Sequence, residues 1–225
     1  MPRTPSTALP APLSAVAGRV NDRIAGVLDA DAERWAAVDP ELASPLASLR
    51  SLVLAGGKRL RPAFCYWAFV GLGGDPDDPC VVDAGAALEL LHTFALIHDD
   101  VMDDSPLRHG VPSVHVEHAG RHRRAGWLGP SDRFGAGVAI LVGDLAFVYS
   151  DRLLAGAPPA ARRVFDELRL EVNVGQYLDL IGSARRSANP ELARRICQYK
   201  SGKYTVERPL HLGAALAAPG RLAAV

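Results

Sequence analysis

Apolar residues recur along this chain at three- and four-residue intervals, and almost nowhere at the two-residue interval of a strand. Helical spacing runs through 14–38, 41–55, 62–71, 80–102, 134–155, 160–181 and 190–207, with Ala and Leu dominating. The breaks between these stretches carry turn chemistry: Ala55-Gly56-Gly57, Gly73-Gly74-Asp75-Pro76, Gly129-Pro130-Ser131-Asp132, Pro158-Pro159 and Ser187-Ala188-Asn189-Pro190. No repeat or interdomain linker interrupts the pattern. It predicts one all-α domain over 13–225 behind a loose tail at 1–12, rich in Pro, Ser and Thr. The run from Gly213 to Val225 stays apolar without a charged finish, which leads us to expect a hydrophobic surface there that wants more chain or another subunit.

Composition narrows the class. A length of 225 residues suits a single domain with a sizeable core. Lys and Arg total 25 against 25 Asp and Glu, so the chain lacks the net positive charge of a nucleic-acid binder. Any affinity for phosphate has to come from local clusters. Cys65, Cys80 and Cys197 are widely spaced and form no CxxC, which suits neither a disulfide framework nor a zinc site and points to the cytoplasm. No secretory apolar segment opens the chain. The two most apolar stretches are interrupted by Glu89, His92 and aspartates and by Asp144, so no membrane span is expected.

The most informative segment is Glu89-Leu-Leu-His-Thr-Phe-Ala-Leu-Ile-His-Asp-Asp-Val-Met-Asp-Asp104, an apolar helix that runs into four carboxylates. At about 100° per residue, Asp99 and Asp103 lie roughly 40° apart on one face, with His92 between them in direction two turns earlier and Asp100 on the flank. A solvated helix end would give the same letters. Against that, the carboxylates follow the most apolar helix and crowd its C-terminus, where the dipole disfavours anions. A compensating cation is implied. Oxygen donors without Cys suit a hard ion, with Mg²⁺ the default because it binds through one or two carboxylates plus phosphate oxygens.

Upstream, Gly56-Gly57-Lys58-Arg59-Leu60-Arg61-Pro62 sets three cations at a helix start, with Pro62 in the first turn. The dipole repels cations there, and a bound anion resolves the conflict. A basic surface turn is the plainer alternative. Beyond the aspartates, a loop from Pro106 to His115 holds Arg108 and His109, and Gln198-Tyr-Lys-Ser-Gly-Lys-Tyr-Thr205 is expected to break its helix at Gly202, with Lys200 and Lys203 near the bend. One carboxylate site and several cationic sites within an apolar bundle suit two phosphorylated, greasy substrates joined through metal.

These motifs, in this order, resemble the trans-isoprenyl diphosphate synthases, or polyprenyl synthetases: GGKRLRP, LLHTFALIHDDVMDD followed by RHGVPSVH, GQYLDL at 175–180, and KSGKYT. The likeness runs from about Ser48 to Leu216, with the first two motifs in combination carrying most of its specificity. The resemblance implies an isoprenoid-synthase-type helical bundle around a central cavity, usually a homodimer. It implies Mg²⁺-dependent head-to-tail condensation of an allylic diphosphate with isopentenyl diphosphate. By position, Asp99 and Asp103 would bind Mg²⁺ with Asp100 assisting. Arg108, Lys200 and Ser201 would hold the allylic diphosphate, and Lys58, Arg61, His92 and His109 that of isopentenyl diphosphate. Phe94, five residues before Asp99, and its neighbour Ala95 would form the floor that limits product length, although Phe94 also suits simple core packing. A geranylgeranyl-type product is expected, with farnesyl next.

Two departures stand beside the likeness. Arg108-His109-Gly110 replaces the family's usual Arg-Arg-Gly, and a histidine is only partly charged at neutral pH. The family's second DDxxD, on a late helix, has no counterpart, since no Asp follows Asp179. The chain therefore reads as the N-terminal two-thirds of a prenyltransferase. The alternative is a non-catalytic or heteromer subunit that binds diphosphate without turnover. A terpene cyclase also uses DDxxD but lacks GGKRLRP.

Overall fold

The computed structural model describes residues 11–220 and is helical nearly throughout. The first helix, α1, spans Ala11–Ala36, so residues 1–10 of the expected tail lie outside the described residues and a helix opens at Ala11. One 3₁₀ turn, Pro40–Leu42, follows, with the Asp39 carboxylate accepting the Glu41 N–H at 2.8 Å, and leads into α2 (Ala43–Leu54). Next come α3 (Leu60–Gly71) and α4 (Pro79–Met102). Pro79 opens α4 behind an Asp78 cap that accepts the Cys80 N–H at 2.8 Å.

Helix α4 is the axis of the fold. Every residue from Ala84 to Leu91 is buried, so this part of the helix is enclosed on all sides rather than on one stripe. On one side it meets a core of Ile24, Leu28, Leu49, Leu90 and Val142. On the other it meets Phe69, Leu88, Leu91, Phe165, Leu168 and Leu212. By length and composition, both α4 and the later helix Ser131–Leu153 could cross a membrane, but 61% of the apolar window of α4 is already buried inside the protein.

The segment expected to be a loop beyond the aspartates is a small hairpin, β1 (Leu107–Arg108) paired with β2 (Val111–Pro112). His109 (φ 52°) and Gly110 (φ 83°) turn it, the double left-handed conformation of a tight two-residue connection. The sequence pattern gave no helix over 114–125, yet α5 spans Val114–Ala125. Its inward face holds His118 and His122 beside Val114 and Ala119, so imidazoles fill positions that aliphatic periodicity looks for.

The second half runs through α6 (Ser131–Leu153), α7 (Pro159–Ala184) and α8 (Pro190–Ile196). From there the chain winds as a π-helix over Cys197–Glu207 and returns to α-helix as α9 (Arg208–Ala217). The expected break at Gly202 is therefore absent: the wider winding carries the chain through it. The apolar end is packed through Leu216, and its last described residues, Pro219 and Gly220, are exposed. Leu212, Ala215 and Leu216 are buried, and α9 lies so close on α3 that a Cβ at Gly213 would sit 2.0 Å from the Cys65 carbonyl oxygen. Residues 221–225 lie outside the described residues.

Candidate active site

The aspartates gather where α4 ends, with Asp103 as its C-cap. Asp99 Oδ1 accepts hydrogen bonds from Gln176 Nε2 at 2.7 Å and Lys200 Nζ at 3.0 Å. The same ammonium lies 2.6 Å from Asp179 Oδ2, so Lys200 joins α4, α7 and the π segment. Burial works against the charge of Lys200, but its bonds to Asp179 and Asp99 outweigh that and raise its pKa. Asp100 is 2% exposed and gripped by Arg108, whose Nε lies 3.0 Å from Oδ1 and whose Nη2 is 3.8 Å from Asp99 Oδ2. These are the compensating cations the spacing called for. Asp103 is exposed, and desolvation followed by the Asp99 charge raises its pKa.

Among the described residues no three His, Cys, Asp or Glu side chains converge on one point. The donor set still fits Mg²⁺, which takes one or two carboxylates and draws its remaining ligands from water and phosphate. Desolvation comes first in raising the Asp103 pKa, and the Asp99 charge that adds to it is the part a cation would relieve.

A second site lies up α4, where a cavity of about 340 Å³ is lined by Gly57, Lys58, Arg61, His92, His109 and Thr205, among others. Gly56 (φ 104°) and Gly57 (φ 139°) adopt backbone conformations that side chains resist, and they open the rim. Arg59 departs from the cluster read in the sequence. It is 7% exposed and turned inward, with Nη1 on Glu89 Oε2 at 2.5 Å and Nη2 on the Val53 carbonyl at 2.5 Å. A left-handed φ of 48° at Arg59 swings it away from Lys58 and Arg61.

Arg61 Nη2 donates to Thr205 Oγ1 at 2.9 Å, and its guanidinium lies 4.4 Å over the Tyr204 ring. Around this pocket, Arg61 Nε, Glu89 Oε1, His92 Nδ1 and Tyr204 Oη are buried without a hydrogen-bond partner. Burial, then Arg61, Arg59, His109 and Arg108, push His92 down to about 3. The histidine stays neutral first because it is buried and then because cations surround it, and a pocket lined by Lys58 and Arg61 suits an anion.

The floor expected at Phe94 and Ala95 borders a slot of only about 40 Å³, shared with His98, Asp99, Met102 and Val172. The Phe94 ring is 4.6 Å from that of His98 and 5.0 Å from that of Phe147. Ser201 is exposed on the π segment beside Lys200.

In the sequence, Gln176, Asp179 and Thr205 stand only as members of GQYLDL and KSGKYT. Their signal was the three-residue spacing of Gln176 and Asp179, which puts both on one face of α7.

Comparison with known proteins gives the family. The polyprenyl synthetase family matches residues 44–223. The chain is 33% identical over 155 residues to a nonaprenyl diphosphate synthase of Mycobacterium tuberculosis, covering 69% of this chain and 41% of the relative. It is 35% identical over 143 residues to a geranylgeranyl diphosphate synthase of Methanosarcina mazei, covering 61% of this chain and 39% of the relative. A geranylgeranyl pyrophosphate synthase from Corynebacterium glutamicum, solved with isoprenyl diphosphate and magnesium, superposes with a TM-score of 0.86 at 36% identity, covering 91% of this chain and 60% of that one. The chain thus spans about two fifths of the length of these curated relatives. With the aspartate cluster and the basic pocket both falling inside the matched region, which covers most of the chain, the chain belongs to the polyprenyl synthetase family.

Proposed function

We propose that this chain is a prenyltransferase that condenses isopentenyl diphosphate with an allylic diphosphate. The observation that carries the reading is the pair of unlike sites along α4. An aspartate cluster with Arg108 and Lys200 lies at its end, and a positive pocket with unpartnered polar atoms at Arg61 and His92 lies further up. Asp99 and Asp103 would hold Mg²⁺, which when bound supplies charge neutralisation for the departing diphosphate. Arg108, Lys200 and Ser201 would hold the allylic diphosphate and stabilise the charge that develops as its C–O bond breaks. Asp100 holds Arg108 in place. Lys58, Arg61, His92 and His109 would seat isopentenyl diphosphate, with His92 donating as a neutral imidazole.

Phe94 and Ala95 would bound the growing chain and favour a geranylgeranyl product, with farnesyl next. Phe94, Ala95 and Val172 beside that slot would keep water from the allylic cation. A homodimer through α6 is supported by Leu141 (62% exposed) and Val148 (59%), which flank an apolar groove of about 660 Å³. Free Cys65, Cys80 and Cys197 suit the reducing cytoplasm.

The test is incubation of the chain with Mg²⁺, labelled isopentenyl diphosphate and each of three allylic diphosphates, followed by separation of products by length. A C20 or C15 diphosphate supports the reading. Tight binding of isopentenyl diphosphate with no product from folded protein would replace it with a binding subunit.

A further inference from the structure

One element touches both sites. The π segment places Lys200 over Asp99 and Asp179 and, about one turn on, Thr205 against Arg61. Extended π-winding is rare and recurs at functional positions. Something has to hold this segment in register, and its back supplies the answer. Glu171 of α7, 6% exposed, accepts Lys203 Nζ at 2.6 Å and takes Arg208 in a fork, Nε at 2.7 Å and Nη2 at 2.8 Å. Lys203, read in the sequence as a cation near the bend with Lys200, is thus bound to a buried carboxylate. One turn along α7 from Glu171, the absence of a side chain at Gly175 lets the π backbone approach at Lys200. The segment is therefore fixed at a close backbone contact and at a three-point charged clamp.

Resting on the functional reading above, we propose that Glu171 is a positioning residue. It sets the register of the π segment and so places Lys200 at the aspartates and Thr205 at the Arg61 pocket together, while touching neither substrate. Because both side chains hang on one rod, a loosened clamp has to weaken both sites at once. Loss of a local contact at either site would weaken only that one.

The experiment is calorimetric titration of wild type and Glu171→Gln with two probes, isopentenyl diphosphate and, with Mg²⁺, a non-ionisable allylic thiodiphosphate. Hydrogen exchange is followed over 197–207. Glutamine keeps the shape and removes the charge. The expected result is a Kd raised roughly 5- to 50-fold for both probes at unchanged stoichiometry, the scale of loss that small misplacements cause. Exchange should rise across the π segment. A merely structural role would lower stability and the bound fraction while leaving Kd unchanged, and that result, or a shift at one probe alone, would overturn the proposal. If Glu171→Gln fails to fold, Lys203→Met removes one arm of the clamp and should move both Kd values in the same direction by less. If wild type binds neither probe, the functional reading falls and exchange decides: faster exchange confined to 197–207 in the variant upholds the clamp, and unchanged exchange overturns it.

Discussion

Arg108 on β1 grips Asp100 on the last turn of α4 along one edge of its guanidinium, with Nε 3.0 and 3.2 Å from the two carboxylate oxygens and Nη2 donating to Oδ1. Asp100 is 2% exposed, so the hairpin is tied to the core helix through a buried charge. Asp100→Asn removes that charge and leaves the guanidinium against a neutral amide. Unfolding in urea should show a loss of about 1.5–3 kcal/mol, the range for hydrogen bonds to charged groups. A variant as stable as wild type would show that this pair does not anchor the hairpin.

His92 links stability to pH. Its folded pKa is about 3 against an ordinary 6.5, lowered by burial and by Arg61, Arg59, His109 and Arg108. Between those values the unfolded chain binds a proton that the folded chain refuses. Its contribution is therefore whole above pH 6.5 and is lost as pH falls through the window. From pH 7 to pH 5 the loss is about 2 kcal/mol, and His118, also lowered by burial, adds in the same direction. His92→Asn should bring the urea midpoints at pH 7 and pH 5 closer together. Identical pH slopes in the two proteins would remove His92 as the linked group.

Much of this was legible in the letters, and the exceptions have physical causes. Asp99, Asp103, Arg108 and Lys200 announced themselves because charge crowded at the end of an apolar helix needs an explanation, and the structure brings their cations together. Arg59 could not be told from Lys58 and Arg61, since its inward turn depends on Glu89, thirty residues away. Helix α5 escaped because histidines occupy its core-facing positions. The passage through Gly202 was misread because π-winding leaves no signature at the 3.6-residue period. The burial of the C-terminal run as far as Leu216 could not be read because its partner α3 is remote in sequence.

Product length should depend on Phe94. Its ring sits between His98 and Phe147 and leaves a slot of about 40 Å³. Phe94→Ala removes the ring at the position where a growing chain would arrive. The expected outcome is a shift of the product distribution to longer prenyl diphosphates in the labelled assay, with folding retained at a cost of about 3–5 kcal/mol for a large-to-small core change. An unchanged distribution would make Phe94 a packing residue only.

The α6 face should govern assembly. Leu141 and Val148 lie on one stripe, more than half exposed. Leu141→Glu puts a charge where a two-fold contact would bury it, and burying an unpaired charge is strongly unfavourable. Sedimentation equilibrium should show a dimer for wild type and a monomer for the variant. A dimer of unchanged affinity in both would place the interface elsewhere.

Gly175 and Gly137 offer a paired test of how tightly the π segment is seated. Glycine inside a helix normally costs stability, so replacing it with alanine gains about 0.5–1 kcal/mol where space allows. At Gly137 of α6 a Cβ would meet nothing within 4 Å, and Gly137→Ala should stabilise by that amount. At Gly175 a Cβ would lie 2.5 Å from the Lys200 amide nitrogen and 2.9 Å from its Cα, and backbone atoms cannot rotate aside. Gly175→Ala should therefore destabilise, by about 1–3 kcal/mol, as overpacking does. The displaced segment would also carry Lys200 away from Asp99 and Asp179, so diphosphate binding should weaken along with stability. Thermal unfolding of the two variants side by side reads the sign directly. If both alanines stabilise, the π segment can shift without cost, and the close seating of Lys200 on α7 is not what holds it over the aspartates.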